Sequence, residues 1–213
     1  MPSKTELTLI AGQGGGSTMI EALLTLATIP FKREALEWKE IYKTGKRLKE
    51  VNPAGHVPAL ILPGGEIVTE SLAMALLIAE WAPDANLAPK PDDKSRARYL
   101  RLQTMICATI YPLWTVDDDP KRFAGADAAA QETLRKRTDK RRKELWLILE
   151  SLVDAGPYAL GKQFSTLDVF ISVMTRWRPR RAWFEKSAPK LHAIATKVDA
   201  HLALQEVWAR NYG

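Results

Sequence analysis

Between residues 81 and 93 the chain reads WAPDANLAPKPDD, and this stretch limits the possible folds more than any other. Pro83, Pro89 and Pro91 lack a backbone donor and fix their own φ, so regular structure cannot run through them. Every strand-type signal lies before the break. After it, apolar residues recur at helical spacing over residues 94–116, 128–153, 165–177, 189–198 and 202–210. The expected organisation is an α/β first domain at 1–82, a linker at 83–93 and an all-helical second domain at 94–213.

The first half alternates. Leu7, Thr8, Leu9 and Ile10 read as a short strand, and Gln13 to Gly16 as a glycine-rich turn. From Ser17 the residues Ile20, Leu23, Leu24, Leu26 and Ala27 predict a helix to about Thr28, stopped ahead of Pro30. Residues 31–38 predict an edge strand, since Lys32, Arg33 and Glu34 interrupt its apolar positions. Residues 41–51 predict a short solvated helix. Residues 52–71, NPAGHVPALILPGGEIVTES, then spell a turn, a strand from Ala59, a Pro63-Gly64-Gly65 turn, a second strand at Ile67-Val68, and a helix opened by Ser71. The order is βαβαββα.

Two features of that last stretch carry chemistry. A proline ahead of a strand can hold a cis bond and leaves the Val57 backbone to pair with an extended ligand. An acid and a hydroxyl at a helix start, Glu70 and Ser71, suit an amino-carboxylate group, because first-turn amides favour anions.

In the helical half, Pro112 should kink its helix, and Ser165 three residues before Asp168 matches an N-terminal capping box. Cys107, the only cysteine, rules out an intramolecular disulfide and CxxC metal clusters and reads as a small apolar residue. No metal site is expected. The 31 Lys and Arg against 25 Asp and Glu, a net +6, suit acidic small molecules or anionic surfaces without choosing between them. Residues 176–184, RWRPRRAWF, mix arginines and aromatics as nucleic-acid binders do, but the same residues suit core packing around Pro179, and nucleic acid is the weaker reading. No run approaches the ~18 apolar residues of a membrane span, and the N-terminus lacks the pattern of a signal peptide, so a cytoplasmic, membrane-free protein is expected.

The order βαβαββα followed by helices, with NPAGHVPAL, then TES opening a helix, then the late STLD box, resembles the cytosolic glutathione S-transferases over nearly the whole chain. The resemblance implies a thioredoxin-like βαβαββα domain that binds glutathione as cosubstrate, followed by an α-helical bundle that helps to hold a small hydrophobic electrophile. It also implies a homodimer. By position it gives a cis bond to Pro58, contact of the Val57 backbone with the cysteinyl part of glutathione, a γ-glutamyl site at Glu70 and Ser71, and His56 near the glycyl carboxylate. The sulfur-binding hydroxyl or thiol of relatives falls on Gly14 or Gly16, neither of which can act through a side chain.

Ser17 is then the nearest hydroxyl and the candidate for stabilising the thiolate; its alternative role is helix capping, with Thr18 next in line. Tyr111 and Trp114 either line the electrophile pocket or pack beneath the Pro112 kink. The leading expectation is conjugation of the glutathione thiolate to an electrophile. The alternative is a glutathione-binding or ligand-carrying protein with little turnover, which the glycines at 14 and 16 favour.

Overall fold

The structure, a computed structural model, describes residues 7–213; the first six, part of the expected first domain, lie outside the described residues. Strand β1 (Thr8–Gly12) runs into helix α1 (Ser17–Leu26), and β2 (Lys32–Leu36) returns parallel to β1. A π-helical turn at Glu40–Thr44 and α2 (Lys46–Val51) lead to the antiparallel pair β3 (Ala59–Ile61) and β4 (Ile67–Val68), then to α3 (Ser71–Trp81). The sheet order is β2-β1-β3-β4, with β1 antiparallel to β3, so the charged strand β2 lies at an edge as its sequence predicts. Ile10, Leu36 and Ala59 from three strands bury against Leu48 and Val51 of α2, while α1 lies against α3. This is a thioredoxin-like arrangement.

After a 3-10 turn at Pro83–Ala85 the helices begin: α4 (Arg96–Met105), α5 (Pro112–Asp118), α6 (Pro120–Ala124), α7 (Ala128–Leu152), α8 (Thr166–Met174), α9 (Arg181–Ser187), α10 (Pro189–Asp199) and α11 (Gln205–Tyr212). The single helix expected at 94–116 is divided as Pro112 requires. Its ring cannot donate to the preceding turn, so the helix widens over Ile106–Ile110, where the Tyr111 amide donates to the Ile106 carbonyl at 2.8 Å, and restarts with Pro112 in its first turn.

Helix α8 is buried along its whole length and opens with the Ser165/Asp168 capping box. The Asp168 carboxyl accepts from the Ser165 amide at 2.8 Å and the Ala159 amide at 2.7 Å. Burial nevertheless pushes its pKa up to about 6 from 3.8.

The chain divides into two compact units. The break falls at Ala88/Pro89, inside the proline-rich stretch, yet Thr196–Gly213 groups with the first unit instead of the helical one. Arg210 and Asn211 of α11 bond to Glu21 of α1.

Within the second unit part of the basic-aromatic segment is packed while Arg178 and Arg180 stay exposed. Arg178 bonds to Asp118 at 2.7 Å, Phe184 is buried against Trp146 and Trp183, and the Arg178-Pro179 bond is cis.

Candidate active site at one end of the sheet

Register brings three separated stretches to one end of the first unit. Ile10 pairs with Ala59, so β1 runs out into the glycine loop at the end of the sheet where Pro58 leads into β3. Leu60 pairs with Val68, so β4 ends, and Glu70 and Ser71 follow, at the end of the sheet where β3 begins. The end of β2 arrives there too, since Gly12 pairs with Leu36. The glycine loop, the Val57-Pro58 pair and the start of α3 thus converge, although 58 residues or so separate the first from the last in sequence.

Each stretch is held by local chemistry. Asn52, buried at the end of α2, accepts from the Ala54 amide at 3.1 Å and donates to the His56 carbonyl at 2.7 Å, which shapes the turn delivering Val57. The Val57-Pro58 bond is cis, Val57 is half-buried and His56 is exposed. Glu70 precedes α3 at φ 64°, ψ 109°, a conformation that a non-glycine residue rarely adopts, and its side chain is exposed. Ser71 follows as the first residue of the helix, half-buried, beside amides that attract a carboxylate.

The glycine loop is the most constrained part. Ser17 is fully buried and is the first residue of α1, whose N-cap is Gly16, so it is not the cap. Its hydroxyl donates to the Gly12 carbonyl at 2.9 Å and accepts from the Gly12 amide at 3.0 Å, closing the loop on itself. Thr18, also buried, donates its hydroxyl to Asn211 Oδ1 at 3.0 Å. Both hydroxyl protons singled out for the sulfur are therefore committed inside the unit. The capping alternative does not match this geometry, and the Ser17 hydroxyl clamps Gly12.

Gly14 sits at φ +68°, and a Cβ there would lie 3.3 Å from the Asn211 carbonyl oxygen and 3.6 Å from the Tyr212 ring. The end of α11 thus packs beside Gly14. Trp38 covers the other side. Its indole donates to the Gln13 carbonyl at 3.0 Å, its ring stacks on Tyr42 at 5.6 Å, and a Cβ on Gly15 would come within 2.8 Å of it.

Trp114 is enclosed in the second unit, its ring edge-on to Trp146 and Trp177 with the Arg142 guanidinium 4.9 Å above it, so its surroundings support the packing alternative. Tyr111 is half-buried against Trp177 at 5.4 Å. Sequence reasoning missed Asn211 and Trp38. A polar residue near the end of a chain carries no local signal of contact with a loop 197 positions away.

A thioredoxin-like sheet with a cis-proline at the head of β3 and an acid held at positive φ ahead of α3, joined to a helical unit with a capped buried helix, defines a class: the glutathione S-transferases. The chain belongs to that family. Residues 17–81 match the family model described as glutathione S-transferase, N-terminal domain. Over 199 residues the chain is 37% identical to the GST-like protein YncG of Escherichia coli (strain K12), covering 93% of this chain and 95% of that protein. Glutathione S-transferase GstA of Escherichia coli O157:H7 is 26% identical over 156 residues, 72% of this chain and 69% of its own. Among solved structures, a glutathione transferase homolog from Sulfitobacter with bound glutathione matches with a TM-score of 0.83 at 23% identity, covering 96% of this chain and 97% of that one. A sphingomonad glutathione S-transferase complexed with glutathione gives 0.78 at 23% identity, over 97% and 100% of the two chains. No helix among the described residues is long and apolar enough to cross a membrane.

Proposed function

We propose that the chain binds glutathione at this end of the sheet and conjugates its thiolate to a small hydrophobic electrophile, as a cytoplasmic homodimer. One observation supports the reading: Val57-Pro58 lead into β3, and Glu70 and Ser71 follow β4, at the same end of the sheet, where β1 runs out into the glycine loop. An extended peptide laid along Val57 would have its γ-glutamyl amine toward the Glu70 carboxylate and its α-carboxylate toward Ser71 and the first-turn amides of α3. His56 would meet the glycyl carboxylate. The glutathione bound in the Sulfitobacter and sphingomonad structures supports the same ligand here.

The sulfur would then face the glycine loop. Because the Ser17 and Thr18 hydroxyl protons are committed to Gly12 and Asn211, the stabilising donors would be amides at the start of α1, where the helix dipole also favours an anion. Lowering a thiol pKa by two units takes about 2.7 kcal/mol of preference for the thiolate. The thiolate would attack the electrophilic carbon, forming the C–S bond as the leaving group departs with its electron pair, and Ser17 would support the step by fixing Gly12.

The second reading, glutathione binding with little turnover, is favoured by the same committed hydroxyls. Calorimetry with millimolar glutathione, followed by conjugation rates with an aryl chloride, separates the two. Absence of binding would remove both readings, and binding with a rate no greater than that in free solution would leave only the second. Ser17→Ala should lower kcat/KM by about tenfold through loss of the Gly12 clamp, two hydrogen bonds of about 1 kcal/mol each being partly compensated.

A further inference from the structure

The Asn211 carboxamide uses its full bonding capacity on the first unit. Its oxygen accepts from the Gly14 amide at 3.1 Å and the Thr18 hydroxyl at 3.0 Å, and its nitrogen donates to Glu21 Oε2 at 3.0 Å and the Val207 carbonyl at 2.9 Å. Only one orientation satisfies these partners, because a reversed amide would turn its oxygen toward a carboxylate and a carbonyl. Asn211 is 4% exposed and Glu21 fully buried, so neither has water as an alternative partner. Glu21 is itself held by Arg33 at the start of β2, Nε to Oε2 3.0 Å, and by Arg210. A continuous line of bonds therefore runs from β2 through Glu21 and Asn211 to Gly14 and Thr18, the two ends of the loop.

We propose that Asn211 is a positioning residue for the sulfur site: it holds Gly14 at positive φ and Thr18 against α11, and so keeps the Gly16 and Ser17 amides between them aimed at the thiolate. The proposal rests on the glutathione reading above. It assigns to the end of α11 the ordering that a loop side chain cannot provide here, since Gly14 has none and the Asn211 and Tyr212 atoms fill the space beside it.

The test compares the full chain with Asn211→Ala and Asn211→Gln, the second keeping a carboxamide that offers an oxygen to Gly14 and Thr18 and a nitrogen to Glu21. S-methylglutathione, which has no thiol, reports on the Val57, Glu70 and Ser71 contacts alone; ultraviolet titration of bound glutathione reports the thiol pKa; hydrogen exchange reports the Gly14 amide. In Asn211→Ala, Gly14 exchange should speed up about tenfold and the thiol pKa should rise by about one unit, while S-methylglutathione affinity stays within about twofold. Asn211→Gln should restore part of the Gly14 protection and of the thiol pKa, and it carries the test if the alanine variant does not fold. Unchanged Gly14 exchange and thiol pKa in folded Asn211→Ala would overturn the proposal. So would parallel loss of S-methylglutathione binding, the mark of a general structural role. Failure of the native chain to bind either thiol or thioether would instead refute the glutathione reading, and the sulfur role of Asn211 with it.

Discussion

Removing the Glu21 carboxylate should destabilise the protein by about 3–5 kcal/mol, the range expected when one partner of a buried ion pair is deleted. The structure indicates where that cost arises. Glu21 is fully buried and accepts from Arg33 Nε, from Arg210 and from Asn211 Nδ2. In Glu21→Ala the Arg33 side chain, 16% exposed, stays largely buried without a counter-charge, which accounts for most of the loss. Arg210, 45% exposed, can turn to water and adds little. Asn211 Nδ2 keeps its bond to Val207 but loses one partner, adding about 1 kcal/mol. Glu21→Gln preserves volume and one acceptor, so about half the effect should remain. Urea denaturation at neutral pH reads the midpoint and slope together. Because Glu21 and Asn211 touch, Glu21→Ala and Asn211→Ala should be non-additive by at least about 0.5 kcal/mol in a double-mutant cycle. An alanine variant within about 1 kcal/mol of the native protein at unchanged slope would refute this account of the network.

Two further outcomes are open to measurement. Asp168 has a folded pKa of about 6 against 3.8 for the free side chain, so between those values the native state binds more protons than the unfolded one, and this group's contribution to stability is largest below about pH 4 and falls by about 3 kcal/mol as pH rises past 6; denaturation of native and Asp168→Asn proteins across that window should show the slope in the first and its loss in the second. Gly15→Ala should displace the Trp38 ring, which a Cβ would approach to 2.8 Å, break the bond to Gln13, and cost about 1 kcal/mol because the ring lies at the surface; the Trp38 indole N–H resonance should move, and an unmoved resonance would contradict the placement.

The sheet and its order were legible because their signals are local. Alternating apolar residues, the Pro63-Gly64-Gly65 turn and the charges of Lys32 to Glu34 each act within a few positions. The capping box at Ser165 and Asp168 was legible for the same reason. Val57, Pro58, Glu70 and Ser71 could be proposed as binding residues because the turn and helix start that hold them are also short-range. The glycine loop was less legible. A hydroxyl at position 17 looks available in sequence, and only the folded chain shows its proton on the Gly12 carbonyl. Trp114 looks like pocket or core in sequence, and its choice depends on Trp146, Trp177 and Arg142, brought beside it by other helices. Asn211 is the extreme case, a partner whose meaning exists only through contacts almost a full chain length away.

The return of Thr196–Gly213 to the first unit bears on how such a protein can be taken apart or recombined. A cut at Ala88 looks like a clean seam, yet the fragment it releases would lack the acceptor for Gly14 and Thr18 and two of the three donors around Glu21. The helical unit is an insertion within the first unit, not an appendage to it. A chimera that exchanges helical halves between relatives would therefore have to take its crossover points at two places, and inherit the α11 that matches its own glycine loop.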